Sequence, residues 1–555
     1  MKKWDTACLD WEDRIVKRES LIKVPPLFKS EAEEALEVFN ELCVVDVVGS
    51  PKIGEIARPW IFDLVNAVFG SYNPEAGRRL IQEFFLLISK KNSKSTTAAQ
   101  IMLTALIRNW RESGEFLILA PTIEIANNSF VPARDAISAD EDLAKLLHVQ
   151  DHTRTITHRL TGATLKVVAA DNETVSGKKA IGVLIDELWL FGKKHNAENM
   201  LREATGGLAS RPEGFVIYLT TQSDEPPAGV YRQKLMYARG VRDGRIEDKK
   251  FLPILYEFPK KMIDADDHLK PENFYITNPN LGASVDEEFL ERQLKIALND
   301  GAESLAGFMA KHLNVEIGIS LRSNRWAGAE FWQQCGIKKL TLDDLIERSE
   351  VIDVGIDGGG LDDLLGLCVL GREKNTQRWL SWHHAWAHPS VLERRKSEAP
   401  RFKDFEKDGD LTIVPMIGLD VHEASDIVER IYLAELLDKI GVDPIGIGAI
   451  LDELEDRKIP EEKIIGVSQG WRLGGAIKTT ERRLAQGTIS HAGQNLMDWC
   501  VGNARVESRA NSMLITKQAS GTAKIDPLMA MFNAVTLMAL NPDAMTEKYQ
   551  MFALT

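Results

Sequence analysis

Residues 84–96 read Phe84-Phe85-Leu86-Leu87-Ile88-Ser89-Lys90-Lys91-Asn92-Ser93-Lys94-Ser95-Thr96. Five apolar residues followed by polar ones predict a short buried strand. Beyond the polar stretch, Ala98, Met102, Ala105 and Leu106 recur at helical spacing. Strand, short loop, Lys-Ser and helix form the context of a phosphate-binding loop. Backbone amides at the helix N-terminus would hold phosphate oxygens of ATP. Lys94 would reach the β- and γ-phosphates, and Ser95 would ligate Mg²⁺. Ser89, Lys90, Asn92, Ser93 and Thr96 complete the candidate ATP contacts. The loop lacks the usual glycines, whose places are taken by Ile88 and Ser93. Asn92 tolerates a left-handed backbone, serine less readily. In isolation the octapeptide 89–96 also reads as an ordinary polar loop.

Further apolar runs lie on either side: Phe116–Leu119, Leu165–Val168, Ile181–Ile185 and Phe215–Leu219. They alternate with helical segments, which predicts an α/β fold with a mainly parallel sheet. Ile181-Gly182-Val183-Leu184-Ile185-Asp186-Glu187 is an apolar strand ending in two acids, the Walker B pattern. Asp186 would hold the Mg²⁺ shell, and Glu187 would orient and activate the attacking water. Leu219 is followed by Thr220-Thr221-Gln222, polar residues placed to sense the γ-phosphate. Open α/β sheets bind ligands at strand ends. Three ordered elements at such ends predict an ATPase.

The second half carries a different pattern. Asp357 follows Val351–Ile356, Asp452 follows the run Ile445–Leu451, and Asp526 precedes a long apolar helix. Strands 351–356, 365–370 and 379–386, a helix over about 421–440 and a strand ending at Asp452 describe an RNase H-like core. Asp357, Asp452 and Asp526 are then candidate catalytic ligands for two Mg²⁺ or Mn²⁺ ions, the arrangement that cuts phosphodiesters. Asp443, Glu453 and Glu455 are the rivals of Asp452. Asp526 reads as a helix N-cap, with Pro527 in the first turn. Asp363 reads as an outer-shell ligand or a turn residue. Trp382-His383-His384-Ala385-Trp386-Ala387-His388 has the alternation of a half-buried strand rather than a zinc site. His491 reads as a surface histidine, or as one that touches DNA or a metal-bound water.

At 555 residues the chain is too long for one core. The expected segments are a helical arm (1–54), an ATPase core (55–260), a helical subdomain or linker (261–345) and a nuclease domain (346–555). The five cysteines match no zinc or disulfide spacing, which fits a reducing cytoplasm. The N-terminus has no apolar stretch of a signal peptide, and no apolar run has the length of a membrane span. A net charge of −14 argues against a simple nucleic-acid coat, though a local basic track suffices for DNA. Candidate tracks are Arg394-Arg395-Lys396 with Arg401 and Lys403, and Arg472, Lys478, Arg482 and Arg483. Each also reads as a solvated surface.

The ordered motifs resemble the large terminase subunits of tailed bacteriophages, specifically the HK97-type branch. The resemblance spans roughly residues 55–540. It rests on Arg58-Pro59-Trp60, the Lys-Asn-Ser-Lys-Ser loop, Ala120-Pro121-Thr122, Walker B and Thr220-Thr221-Gln222. Asn278-Pro279-Asn280-Leu281-Gly282 and Lys311-His312-Leu313-Asn314 follow in order. The nuclease half adds Gly355-Ile356-Asp357, Gln469-Gly470, Glu481-Arg482-Arg483-Leu484, His491-Ala492-Gly493-Gln494 and Lys524-Ile525-Asp526-Pro527. It departs from the branch at Ser93, where the loop usually has glycine, and at Ile61, where glutamine often follows the tryptophan. The resemblance implies adenine contact near Trp60 and γ-phosphate coupling through Thr221. It implies ATP-driven packaging of double-stranded DNA into a procapsid and cutting of concatemers. Its partners would be a small terminase subunit and a portal, with the chain forming a ring, a pentamer, in the host cytoplasm and absent from the mature virion. A neighbour's arginine would complete each ATPase site, and Arg134 and Arg154 are candidates. The rival readings are a helicase-nuclease of DNA repair and a degraded prophage DNA-binding or scaffold protein without ATP turnover.

Overall fold

The structure, a computed structural model, describes residues 4–169, 180–194, 196–317, 326–338, 340–360, 362–396, 398–444, 448–509, 512–516 and 524–545. The chain divides into two compact units, Met1–Ile317 and Gly318–Thr555. No helix among the described residues is long and apolar enough to cross a membrane.

In the first unit, helix α1 (Pro59–Phe69) precedes strand β1 (Glu83–Leu87), helix α2 (Lys94–Ile107) and strand β2 (Glu115–Ala120). Helix α3 (Ile123–Ser138) and strands β3 (Leu147–Gln150), β4 (Thr155–His158), β5 (Thr164–Ala169), β6 (Ala180–Ile185) and β7 (Phe215–Thr220) follow. Helix α4 (Gly229–Arg242), strand β8 (Phe251–Leu255) and helix α5 (Ala302–Leu313) complete the elements that matter here. The sheet order is β8-β1-β7-β6-β2-β5-β4-β3. Pairings from β8 through β5 are parallel, and β4 and β3 add antiparallel. The central strands are buried along their length, which is why their sequences are apolar runs and not alternations. Pro253 sits in β8, at the sheet edge, where a missing N–H costs no ladder bond. The N-terminal residues pack onto this unit. Helix Lys29–Glu41 buries Ala32, Ala35 and Phe39, and Arg108 donates to Glu31 at 2.9 Å and Glu34 at 3.0 Å.

The second unit is built on strands β9 (Ser349–Gly358), β10 (Leu365–Glu373), β11 (Trp379–Ala387) and β12 (Leu411–Ile413). Helix α6 (Leu419–Leu433) leads to strand β13 (Leu437–Val442), helix α7 (Gly448–Asp456), strand β14 (Ile464–Gly466), helix α8 (Gly474–Ala485) and strand β15 (Ile489–His491). Helix α9 (Asp526–Met538) closes the fold. The order is β12-β11-β10-β9-β13-β14, with β15 also on β11. Strands β9, β10 and β11 form an antiparallel meander, while β13 lies parallel to β9 and β14 parallel to β13. This is the RNase H-like order expected from the sequence.

Three expectations are corrected. The helix predicted to run to about 440 ends at Leu433, and the strand predicted to end at Asp452 is β13, ending at Val442. Of the run Ile445–Leu451, residues 445–447 lie outside the described residues, and from Gly448 the chain is helical. Leu437-Asp438-Lys439-Ile440-Gly441-Val442 carries two charges, which hid it behind a more apolar run. The sheet takes the less apolar segment because β13 lies beside β9, where Ile440 and Val442 are buried. Asp526 is the first residue of α9 and Ile525 is its cap, one residue from the predicted boundary.

Candidate functional site

The loop after β1 holds its shape through an unusual residue. Ser93 has φ 56°, in the left-handed region where glycine is the ordinary choice. That turn starts α2 at Lys94 and directs the first amides of the helix into one cradle. Asn92 fixes the loop from behind. Its amide donates to Asn278 Oδ1 at 2.8 Å and its Oδ1 accepts from the Asn280 N–H at 3.0 Å. Trp60 is buried, and its indole N–H is held by Asn280 Oδ1 at 2.7 Å. The Asn-Pro-Asn turn thus joins Trp60 to the loop after β1. Ser89 is fully buried, Lys90 is exposed, and Thr96 is half-buried in the first turn of α2.

Strand order brings the other motifs to this loop. Strand β7, with Thr220 at its end, lies between β1 and β6, so the third motif is next to the loop strand and the second is one strand further on. Ser95 Oγ donates to Asp186 Oδ2 at 3.0 Å, and Ser129 Oγ from α3 donates to the same oxygen at 3.1 Å. Lys94 Nζ donates to Glu187 Oε1 at 2.7 Å. Burial pushes the Asp186 carboxyl up, and neighbouring Glu187 adds to this. Burial also pushes Glu187 up, but the Lys94 cation outweighs it and holds that carboxyl below its usual range. Thr221 is buried, its hydroxyl donating to Gln222 O at 3.3 Å. Ser95 and Asp186 offer hard oxygens side by side, so the donor set fits a Mg²⁺-like cation with phosphate oxygens.

Arg134 donates to Asp135 at 2.7 Å, and Arg154 donates to Asn127 at 2.8 Å. Ser129 was missed by sequence reasoning. Its only signal was a small polar residue on the buried face of a helix.

In the second unit, backbone geometry assembles the acids. Ile356 pairs with Val442, so Asp357 and Asp443 are the next residues on adjacent parallel strands. Asp357 pairs with Gly366 on β10. A Cβ on Gly366 would lie 2.6 Å from Pro527 N, and one on Gly355 would lie 1.9 Å from Ala530 O. These two glycines let α9 rest on the sheet, which sets Asp526 beside Asp357. Asn533 secures the contact by donating to Ile356 O at 2.9 Å and accepting from Gln469 at 2.9 Å. Asp526 is 3% exposed. Lys524, buried, donates to Asp363, which makes Asp363 an ion-pair partner at the turn.

Asp452 does not end a strand. It lies within α7, because the strand it was expected to end is β13. Asp443 takes the position predicted for it. Among the described residues no three His, Cys, Asp or Glu side chains are grouped closely enough to hold a metal. Two carboxylates at one sheet end, Asp357 and Asp526, are nonetheless the ligand type a hard divalent cation takes.

The histidine strand behaves as its alternation predicts. His383 is buried, His384 half-buried, and burial drives them down to about 3 and about 4. His491 is a correction. It is buried, stacks on Trp332 with ring centroids 3.8 Å apart, and bonds Trp332 O at 2.7 Å. Of the two basic tracks, the first is partly engaged: Arg395 pairs with Asp362 at 3.2 Å and Arg401 is 9% exposed. In the second track Arg472 and Lys478 are exposed, while Arg483 lies over the Trp379 ring at 3.5 Å.

Two family models match the chain. The family model of the terminase large subunit, ATPase domain, matches residues 59–240, and that of the terminase large subunit, endonuclease domain, matches residues 246–541. Protein YmfN of Escherichia coli (strain K12) is 24% identical over 352 residues, 62% of this chain and 74% of YmfN. Among solved structures, the HK97 bacteriophage large terminase is 20% identical with a TM-score of 0.48, covering 91% of this chain and 99% of that one. The large terminase of a thermophilic bacteriophage, in complex with ATP-gamma-S, is 14% identical with a TM-score of 0.30, covering 84% and 95%. The chain belongs to the terminase large subunit family: it is an ATPase and endonuclease of DNA packaging and cleavage, and its two domains imply use of a nucleotide and a divalent metal.

Proposed function

We propose that the first unit hydrolyses ATP with Mg²⁺ to move double-stranded DNA into a procapsid, and that the second cuts concatemeric DNA with two Mg²⁺ or Mn²⁺ ions. The observation that carries the first half is the convergence of Lys94, Ser95, Asp186 and Glu187 at the ends of β1 and β6. Lys94 leaves Glu187 to neutralise the β- and γ-phosphates, and Ser95 and Asp186 would hold Mg²⁺. Glu187 then accepts a proton from the water whose oxygen bonds to the γ-phosphorus. The bond from that phosphorus to the bridging oxygen breaks, and ADP leaves. Trp60 sits on the adenine side, while Ser89, Lys90, Asn92, Ser93 and Thr96 shape the loop and Thr221 senses the γ-phosphate.

In the second unit, Asp357 and Asp526 are the proposed metal ligands, with Asp443 in place of Asp452 as the third. The bound cations supply an activated water and charge for the leaving 3′-oxygen. Asp357 from β9 and Asp526 from α9 would hold them at the sheet end. The proposed assembly is a pentameric ring on the portal, fed by a small terminase subunit in the host cytoplasm. The test pairs ATP turnover with nicking of supercoiled plasmid in Mg²⁺ or Mn²⁺. Lys94→Met is expected to lose turnover, and Asp357→Ala to lose nicking while keeping turnover. Nicking by Asp357→Ala at the wild-type rate would overturn the nuclease assignment.

A further inference from the structure

Both oxygens of Glu187 are engaged, and their partners differ in kind. Oε1 accepts from Lys94, which phosphate will claim. Oε2 accepts from the Trp189 indole N–H at 2.6 Å. That donor sits on a rigid ring, and its backbone N–H is itself anchored to Thr220 Oγ1 at 3.1 Å. Lys311, from the end of α5, lies over the same indole with Nζ 3.1 Å from a ring centroid. Its ammonium also donates to Gln222 O at 3.0 Å, and its own carbonyl accepts from the Lys90 N–H at 2.8 Å. One lysine therefore touches the phosphate loop, the strand-end motif after β7 and the ring that holds Glu187.

We propose that Trp189 is the positioning residue for Glu187, and that Lys311 fixes the Trp189 ring, so that the carboxylate stays aimed when nucleotide draws Lys94 away. This rests on Glu187 being the base. A carboxylate with one oxygen tied to an indole keeps its other oxygen as the acceptor for water. Losing Lys94 without that tie would leave the group free to rotate. A cation on an aromatic face contributes most where it is desolvated, as here. The charged groups around Lys311 are Asp224, Glu187, Lys90 and Lys193. Lys193 lies 5.4 Å from the same ring and pairs with Asp224 at 3.1 Å. Burial, opposed by the two acids, brings Lys311 down to about 8.

The test is steady-state ATP hydrolysis by the full chain, with nucleotide affinity and melting temperature measured beside it. Trp189→Phe keeps the ring and removes the N–H. It is expected to lower kcat by ~10–100-fold with KM and nucleotide affinity nearly unchanged. Lys311→Met should fall similarly. In the wild type, kcat/KM, which reports the free enzyme, should decline as pH rises through about 8. Lys311→Arg stays charged, so it should recover turnover and lose that decline. Wild-type kcat in Trp189→Phe, a loss confined to KM, or the same alkaline decline in Lys311→Arg would overturn the proposal. Glu187→Gln, run alongside, separates the two readings: if it still turns over, the base assignment fails, and if it is dead while Trp189→Phe is normal, only the positioning role fails.

Discussion

The two sites share a location in their sheets and differ in what assembles them. Each lies at the C-terminal ends of parallel strands, β1, β7 and β6 in one unit and β9 and β13 in the other. At the nucleotide site, side chains close the structure: Lys94 on Glu187, Ser95 and Ser129 on Asp186, Asn92 between Asn278 and Asn280. At the acidic sheet end, missing side chains do it, since Gly355 and Gly366 are the surface on which α9 rests. The first site should therefore fail when a polar group is removed. The second should also fail when a methyl group is added where no chemistry occurs.

The largest expected effect is at the acids. Asp357→Ala should lower plasmid nicking by about 10³-fold or more, with ATP turnover as the internal control. Lys94→Met should lower turnover by a comparable ~10³-fold. It should also destabilise the first unit by about 3 kcal/mol, because Glu187 is left with a buried charge lacking its cation. Chemical unfolding of the variant measures the second part. An unchanged midpoint would mean that Glu187 finds water or takes a proton instead.

Gly355→Ala sharpens the contrast. Its Cβ would meet Ala530 O at 1.9 Å, which no rotamer relieves, so a loss of about 3 kcal/mol is expected. Nicking should drop with it, while ATP turnover stays. Asp443→Asn and Asp452→Asn form the next pair. The first should reduce nicking by ~10–100-fold and the second should leave it near wild type. The reverse outcome would return the third ligand to α7. The smallest effect is at Ser93. Glycine there relieves a left-handed serine, so Ser93→Gly should stabilise the loop by about 1 kcal/mol. Nucleotide affinity is then expected to rise modestly, read by titration with a fluorescent nucleotide.

Sequence alone determined the strands that are apolar throughout and the motifs that end them. A run such as Ile181–Ile185 has one stable environment, the interior of a sheet covered on both faces, so its ending in Asp186 and Glu187 was legible without coordinates. The Lys-Ser helix start was legible for the same local reason. The proposed third acid was not. Asp443 follows a strand whose charges mask it, and only the pairing of Val442 with Ile356 places it beside Asp357. The burial of His491 and the reach of Trp189 and Lys311 to Glu187 were likewise decided by tertiary structure. Local propensity fixes which segments are strands and where helices start. Which carboxylate faces which is fixed by register and close packing between segments far apart in sequence, and no short window of residues contains that information.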